Sequence, residues 1–408
     1  MQVPKAKFGL YIHIPFCQRK CGYCDFYSLA QADELVRPYL EALRHEIALY
    51  GLEAEYRCRQ VDTIYFGGGT PSLLNPSQLE SLFDTLHQYF DLSTVVETTI
   101  EANPGTISME KLCAYRNIGI NRLSLGVQSF FDQDLQVLGR IHTADEAQAC
   151  VRQARAAGFN NLNIDLIFGI PGQSVESWWE NLRLATTLGV DHLSIYNLIY
   201  EPGTPFARKQ DLGKLTPIPE EMEAEMYFSA IDFLGRHGYQ QYEISNFAQP
   251  GKFCQHNQNY WNGGEYLGLG ASAHSFIDSR RFWNVADVHL YIKLLTEGKY
   301  PCSGEEKLTL AQQLLETIFL SLRCTKGLNI DRFCHRFGKD FLRKLIAVLE
   351  NLQSAKEEPL WSVAEGHLRL TPQGFWFSDE VFSQFVLAAS IDFKSSQPIL
   401  KLSPTVCP

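Results

Sequence analysis

Residues 11–28 read YIHIPFCQRKCGYCDFYS: a short apolar run ending at Phe16, then Cys17, Cys21 and Cys24 in the spacing C-x3-C-x2-C. Three thiolates so close together can hold three irons of a [4Fe–4S] cluster and leave the fourth iron open to a ligand. An open iron can bind a second molecule and pass it an electron. The rival reading is zinc, whose structural sites close with four protein ligands, often two C-x2-C pairs. No second pair follows here, and His13 is an awkward fourth ligand on the strand just upstream. The other cysteines (Cys58, Cys113, Cys150, Cys254, Cys302, Cys324, Cys334 and Cys407) show no repeated pair spacing. They read as reduced thiols rather than a disulfide framework.

Outward from this stretch, short apolar runs alternate with amphipathic ones. Strands are expected at Leu10–Ile14, Val61–Phe66, Val96–Glu101, Arg122–Val127, Leu162–Phe168 and His192–Asn197. Helices are expected near 33–50, 76–90, 108–118, 144–158, 174–188 and 219–237, with Asp33 and Asp145 as caps and Ser174 just before Val175 and Glu176 at the start of an apolar run. This order is α/β with a parallel sheet, and the strand count suits an incomplete (β/α)6 barrel. In such barrels chemistry gathers at the C-terminal ends of the strands. The cysteine loop, the Gly67–Ser72 run GGGTPS, Glu101 in EANPGT and Gln128 all lie at such ends, and Asp165 lies within the fifth strand.

The alternation stops after residue 238. A connecting region of short strands and Gly-rich turns is expected over 239–304, with a helix near 286–297. Helices near 308–323, 329–336 and 339–352, then strands at Leu360–Val363 and Leu368–Leu370, make 305–390 a small winged-helix-like α+β domain. Residues 391–408 read as a polar tail. A net charge of −10 argues against nucleic acid as the main partner, since phosphate binding needs local Lys and Arg in excess. The basic residues of 326–343 read as a solvated face. The N-terminal stretch lacks an apolar h-region, and no apolar run reaches the length of a membrane span, so the cytosol is expected, with any membrane role peripheral.

Taken singly, the remaining signals stay open. Gly67-Gly68-Gly69 could be a tight turn, or backbone approaching a ligand. Glu101 at a buried strand end is costly unless an ammonium or hydroxyl meets it. Gln128 and Asp165 follow the same logic, and so does Arg140, which could equally sit in a surface ion pair. In His256-Asn257-Gln258-Asn259-Tyr260-Trp261 an imidazole could ligate heme iron, with two aromatic rings beside a porphyrin; the alternative is a loop packing a domain junction.

The cysteine triplet resembles the signature of the radical S-adenosylmethionine superfamily. That resemblance implies S-adenosylmethionine chelating the open iron and reductive cleavage of its C–S bond. YIHIPFC, GGGTPS, EANPGT, NRLSLGVQSF, LGRIH, NIDLIFGIPGQ and YEISNFA extend it, over roughly residues 8–375, to the oxygen-independent coproporphyrinogen III oxidases and their relatives. By that resemblance Tyr11, Tyr23, Gly68, Gly69, Thr70, Glu101, Gln128, Arg140 and Asp165 contact S-adenosylmethionine.

Two departures separate this chain from the oxidases. Phe26 stands where they carry a fourth nearby cysteine, and only 16 residues precede Cys17. Both features, and the HNxxYW motif, match the HemW group of heme chaperones. The resemblance then implies heme as cargo with His256 as its contact, recipient hemoproteins including membrane-associated ones, and an electron donor of the flavodoxin or ferredoxin kind. It leaves homodimer formation open. Radical decarboxylation of coproporphyrinogen III is the alternative activity.

Overall fold

The structure, a computed structural model, describes residues 7–392, with side chains through residue 386. Apart from the end of the helix Ser378–Asp392, the expected tail lies outside the described residues. The chain divides into two compact units. One comprises the residues up to Gln240, Ser245–His256 and Gly264–Glu306. The other comprises Gln241–Ile244, Asn257–Gly263 and the residues from Lys307 onward.

The first unit is built on β1 (Phe8–Ile14), β2 (Thr63–Gly68), β3 (Glu97–Ala102), β4 (Arg122–Gln128), β5 (Leu162–Phe168) and β6 (His192–Asn197). They lie side by side in chain order and all parallel. Helices at Asp33–Leu52, Pro76–Tyr89, Met109–Asn117, Ala144–Ala156 and Val175–Thr187 return the chain between them, and Glu220–Arg236 follows β6. Asn75, Thr143 and Ser174 start three of these with reciprocal capping boxes. Asp33 and Asp145 are not caps. Both lie inside the first turn, where a carboxylate favours the positive end of the helix dipole.

Side chains alternate across a strand. On one face of this sheet Ile64, Phe66, Ile100, Leu123, Leu125, Ile164, Leu166, Leu193 and Ile195 are buried. The other face carries Thr63, Tyr65, Glu97, Thr99, Glu101, Arg122, Ser124, Asn163, Asp165, His192 and Ser194. Register sets them in layers: Thr99 faces Arg122, Ser124 faces Asn163 and Asp165 faces Ser194. A sheet with one polar interior face places ionisable groups where water is scarce.

The six strands are not edged by solvent at either end of their order. Glu265–Leu269 pairs with β1 in parallel, and His274–Ile277 and Arg280–Asn284 continue antiparallel from it. On the far side Asn246–Ala248 pairs antiparallel with β6. The connecting region thus supplies flanks to the main sheet, since an open edge would leave backbone N–H and C=O groups unpaired. In the second unit, helices Leu310–Arg323, Ile330–Phe337 and Lys339–Gln353 accompany a small sheet. There Leu328–Asn329 and Trp361–Ala364 both pair with His367–Leu370. Leu322, Phe333, Leu345, Leu349 and Leu368 form its buried interior. No helix among the described residues is long and apolar enough to cross a membrane.

Candidate functional site

The cysteine loop begins where β1 ends. Phe16–Cys17 is a two-residue strand paired in parallel with Leu29–Ala30, and the Leu29 amide donates to the Pro15 carbonyl at 2.6 Å. Residues 17–29 therefore form a closed loop. Inside it the Cys24 amide donates to the Cys21 carbonyl at 3.2 Å, and all three cysteines are half-buried. The end of β2 is strapped to the loop entrance. Gly69 N donates to Ile14 O at 2.9 Å, and Thr70 N to Phe16 O at 2.8 Å. A Cβ on Gly69 would stand 2.7 Å from the Phe16 carbonyl oxygen, so the glycine run here serves a close backbone approach.

Two side chains from segments outside the cysteine loop, one just past β2 and one just past the helix Asp132–Leu138, reach the sulfurs. The Thr70 hydroxyl donates to Cys17 Sγ at 3.4 Å, and the Arg140 guanidinium to Cys21 Sγ at 3.5 Å. Asn103, just past β3, joins them. Its amide donates to Thr70 Oγ1 at 2.9 Å, and its carbonyl oxygen accepts from Arg140. Arg140 also donates to Gly126 O at 2.7 Å, so it is no surface ion-pair residue. Tyr23 lies against Cys21 and Arg140, with its ring edge on Phe206. Burial pushes the Cys24 thiol up to about 11, partly opposed by the backbone hydrogen bond at Phe26.

One layer deeper lies Glu101. It accepts from Tyr65 Oη at 2.8 Å and from Gly68 N at 3.1 Å. Burial first, and the nearby Asp165 carboxyl among the smaller causes, push it up to about 7. Asp165, itself raised by burial, accepts from Asn163 Nδ2 at 2.8 Å. Tyr11 stacks on Tyr65 with centroids 6.2 Å apart and donates its hydroxyl to His13 Nδ1 at 3.0 Å, since His13 Nε2 donates to the Tyr27 carbonyl. Gln128 closes β4 at a register irregularity with φ +68, a conformation that side chains other than glycine adopt at a cost. Its amide, the Asn103 amide and the Arg140 guanidinium crowd the same spot, since a Cβ on Gly126 would lie 2.6 Å from Asn103 Oδ1, 3.1 Å from Gln128 Nε2 and 3.3 Å from an Arg140 guanidinium nitrogen.

His256 is elsewhere. It is fully buried, with Nδ1 2.7 Å from Thr63 Oγ1 and its ring stacked on Tyr65 at 5.1 Å. Its amide and that of Gln255 donate to Glu97 at 3.0 and 2.9 Å, so this carboxylate anchors the first turn of helix Gln255–Trp261. Thr63, Glu97 and Arg122 begin their strands, which puts His256 at the N-terminal end of the sheet. From Gly9, which it packs against, to the loop entrance at Ile14 is about 16 Å of strand at about 3.3 Å per residue. Burial, then the positive charge of Arg122, push His256 down to about 3. The motif is thus a helix rather than a loop. Within the second unit the Trp261 ring is covered by the Arg323 guanidinium, 4.5 Å from its centroid.

Cys17, Cys21, Gly68, Gly69, Thr70, Glu101, Gln128 and Arg140 are therefore gathered at one end of the sheet, with Cys24 in the same loop and Tyr11, Tyr23 and Asp165 beside them. Three thiols in one loop, two of them met by hydrogen-bond donors, fit an anionic thiolate-held cluster. Among the described residues no three His, Cys, Asp or Glu side chains stand close enough to hold one metal. A cubane spreads its thiolates over separate irons, so its ligands stand wider apart than those of zinc. Donors already aimed at two sulfurs are what an anionic cluster requires. Sequence reasoning missed Tyr65 and Asn103. Tyr65 was legible in the polar alternation Thr63, Tyr65, Gly67; Asn103 lay inside the quoted EANPGT run.

The family model of the radical SAM superfamily matches residues 11–185, and that of the HemN C-terminal domain matches residues 308–377. The heme chaperone HemW of Bacillus subtilis is 38% identical over 377 residues, which is 92% of this chain and 98% of that protein. The heme chaperone HemW of Escherichia coli is 41% identical over 278 residues, 67% of this chain and 71% of that one. Among solved structures, coproporphyrinogen III oxidase (HemN) from Escherichia coli, a radical SAM enzyme, superposes with a TM-score of 0.81 at 26% identity, covering 94% of this chain and 91% of that chain.

Proposed function

The chain belongs to the radical SAM superfamily and, within it, to the family of the heme chaperone HemW; from that premise we propose that it binds a [4Fe–4S] cluster, S-adenosylmethionine and heme, and hands the heme to recipient hemoproteins. The observation that carries the reading is the closed cysteine loop with Thr70 and Arg140 aimed at two of its sulfurs. Cys17, Cys21 and Cys24 hold the cluster. When bound, the cluster would supply a low-potential electron and an open coordination position for S-adenosylmethionine. The chain's own part is to position and to exclude water. The Gly67–Thr70 backbone and Glu101 receive the ligand's polar groups, Gln128, Arg140 and Asp165 line the same end, and Tyr11 and Tyr23 wall it. Burial raises Glu101 to about 7, so a positively charged partner beside it would favour its carboxylate form.

Heme contact through His256 asks for a rearrangement, because the imidazole has no exposed surface. The helix Gln255–Trp261 would have to leave Glu97 and Tyr65 to present it. An electron donor of flavodoxin or ferredoxin type and a cytosolic site of action, peripheral to any membrane, complete the proposal.

The second reading is the oxidase, favoured by the superposition on HemN along nearly the whole chain. Against it stands Phe26, exposed in the cysteine loop where the oxidases carry a further cysteine. Anaerobic titration of the cluster-loaded protein with heme, then transfer to an apo-hemoprotein, decides together with a coproporphyrinogen III assay. Stoichiometric heme uptake and release without decarboxylation supports the chaperone. Protoporphyrinogen IX without stable heme binding assigns the oxidase. A Cys17→Ala, Cys21→Ala, Cys24→Ala protein is the cluster-free control.

A further inference from the structure

A side-chain amide accepts through its oxygen and donates through its two N–H groups, and in many settings it can be turned end for end. Asn103 cannot. Its Oδ1 receives the Arg140 guanidinium, and turning the amide would set an N–H group against that cation. Nδ2 must therefore face Thr70 Oγ1, 2.9 Å away. The Thr70 hydroxyl has a single proton. With its oxygen already accepting from Asn103, that proton goes to Cys17 Sγ at 3.4 Å. On the other side, Asn103 Oδ1 and the Gly126 carbonyl both accept from Arg140 Nη2, which holds the plane of the guanidinium and leaves Nη1 to donate to Cys21 Sγ at 3.5 Å. Gly126 leaves the space for this, since a Cβ there would meet Asn103 Oδ1 at 2.6 Å.

We propose that Asn103 is a positioning residue for the cluster: by orienting the Thr70 hydroxyl and the Arg140 guanidinium onto two different cysteine sulfurs, it sets the cluster's reduction potential. A donor on a thiolate sulfur withdraws charge and favours the reduced, more negative cluster. Losing both orientations disfavours reduction. The inference rests on the reading that Cys17, Cys21 and Cys24 hold a [4Fe–4S] cluster.

The test uses the full chain after anaerobic cluster assembly. Iron and sulfide per chain are counted, and the midpoint potential is read by a redox titration followed by electron paramagnetic resonance. Asn103→Ala should keep its iron while its potential falls by a tenfold change in the oxidised-to-reduced ratio, about 59 mV for one electron. Asn103→Asp should fall too, because a carboxylate keeps the Arg140 bond but cannot donate to Thr70 and offsets the cation. Gly126→Ala, which displaces the amide without removing it, should move in the same direction. Full iron with an unchanged potential in the Asn103 variants overturns the inference. Loss of iron from both with the fold intact also overturns it, since Asn103 would then retain the cluster rather than tune it. Wild-type protein that takes up no iron fails the cluster reading itself, and the iron count separates that case from the others.

Discussion

Glu101 shows how one buried carboxyl can couple ligand binding to pH. Its value near 7, against an ordinary carboxylate near 4.5, has burial as its largest cause, and the bonds from Tyr65 and Gly68 only partly offset it. The sign follows: below pH 7 the group is mostly protonated and offers no charge to an ammonium, and above it the carboxylate is free to bind. S-adenosylmethionine should therefore bind the cluster-loaded protein about tenfold more tightly at pH 8 than at pH 6. Glu101→Gln should flatten that dependence. Equal pH profiles for wild type and variant, measured by equilibrium dialysis, would show that Glu101 does not meet the ligand.

Between elements, a buried polar knot ties the cysteine loop to the flank of the sheet. Glu46, on helix Asp33–Leu52 and fully buried, accepts from Gly270 N at 2.7 Å, Asn284 Nδ2 at 2.6 Å and Tyr291 Oη at 2.5 Å. Tyr39, two turns earlier, donates to the His13 carbonyl at 2.7 Å and accepts from Ala271 N at 3.1 Å. The helix thus grips both β1, just before the cysteines, and the turns that follow its parallel neighbour. Burial raises Glu46 to about 7 despite three donors. A folded pKa above the unfolded one means stability present at low pH is lost as pH rises through 7. The loss is on the order of 3 kcal/mol between pH 5 and pH 8 for such a shift. Glu46→Gln cannot ionise, so its Tm should fall less over that interval than the wild-type Tm. Parallel Tm-against-pH curves would remove Glu46 as the source.

For the whole molecule, the two ends of the sheet carry different chemistry. Cys17, Cys21, Cys24, Glu101 and Arg140 occupy the C-terminal end; His256, His192, Glu97 and Arg122 are packed into the other. Heme binding through His256 predicts that His256→Ala weakens heme affinity or shifts the Soret band. An unchanged titration would place the heme contact on another residue. The same substitution opens a cavity beside Tyr65 and Thr63 and should cost about 2–4 kcal/mol of stability, read by urea unfolding.

Spacing and alternation were enough to expose most of this protein. The C-x3-C-x2-C triplet, the six strand–helix repeats and the polar residues at strand ends are local patterns, because side-chain direction along a strand and capping at a helix start depend on near neighbours. Asp33 and Asp145 show the limit even there, since a carboxylate suits both the cap and the first turn. What no local pattern could hold was partnership across strands. That Glu265–Leu269 lies beside β1, that Asn103 joins Thr70 to Arg140, and that His256 stacks on Tyr65 far from the cysteine loop all depend on which strands become neighbours. That choice is made by burial of the whole sheet, so only the tertiary structure decides it.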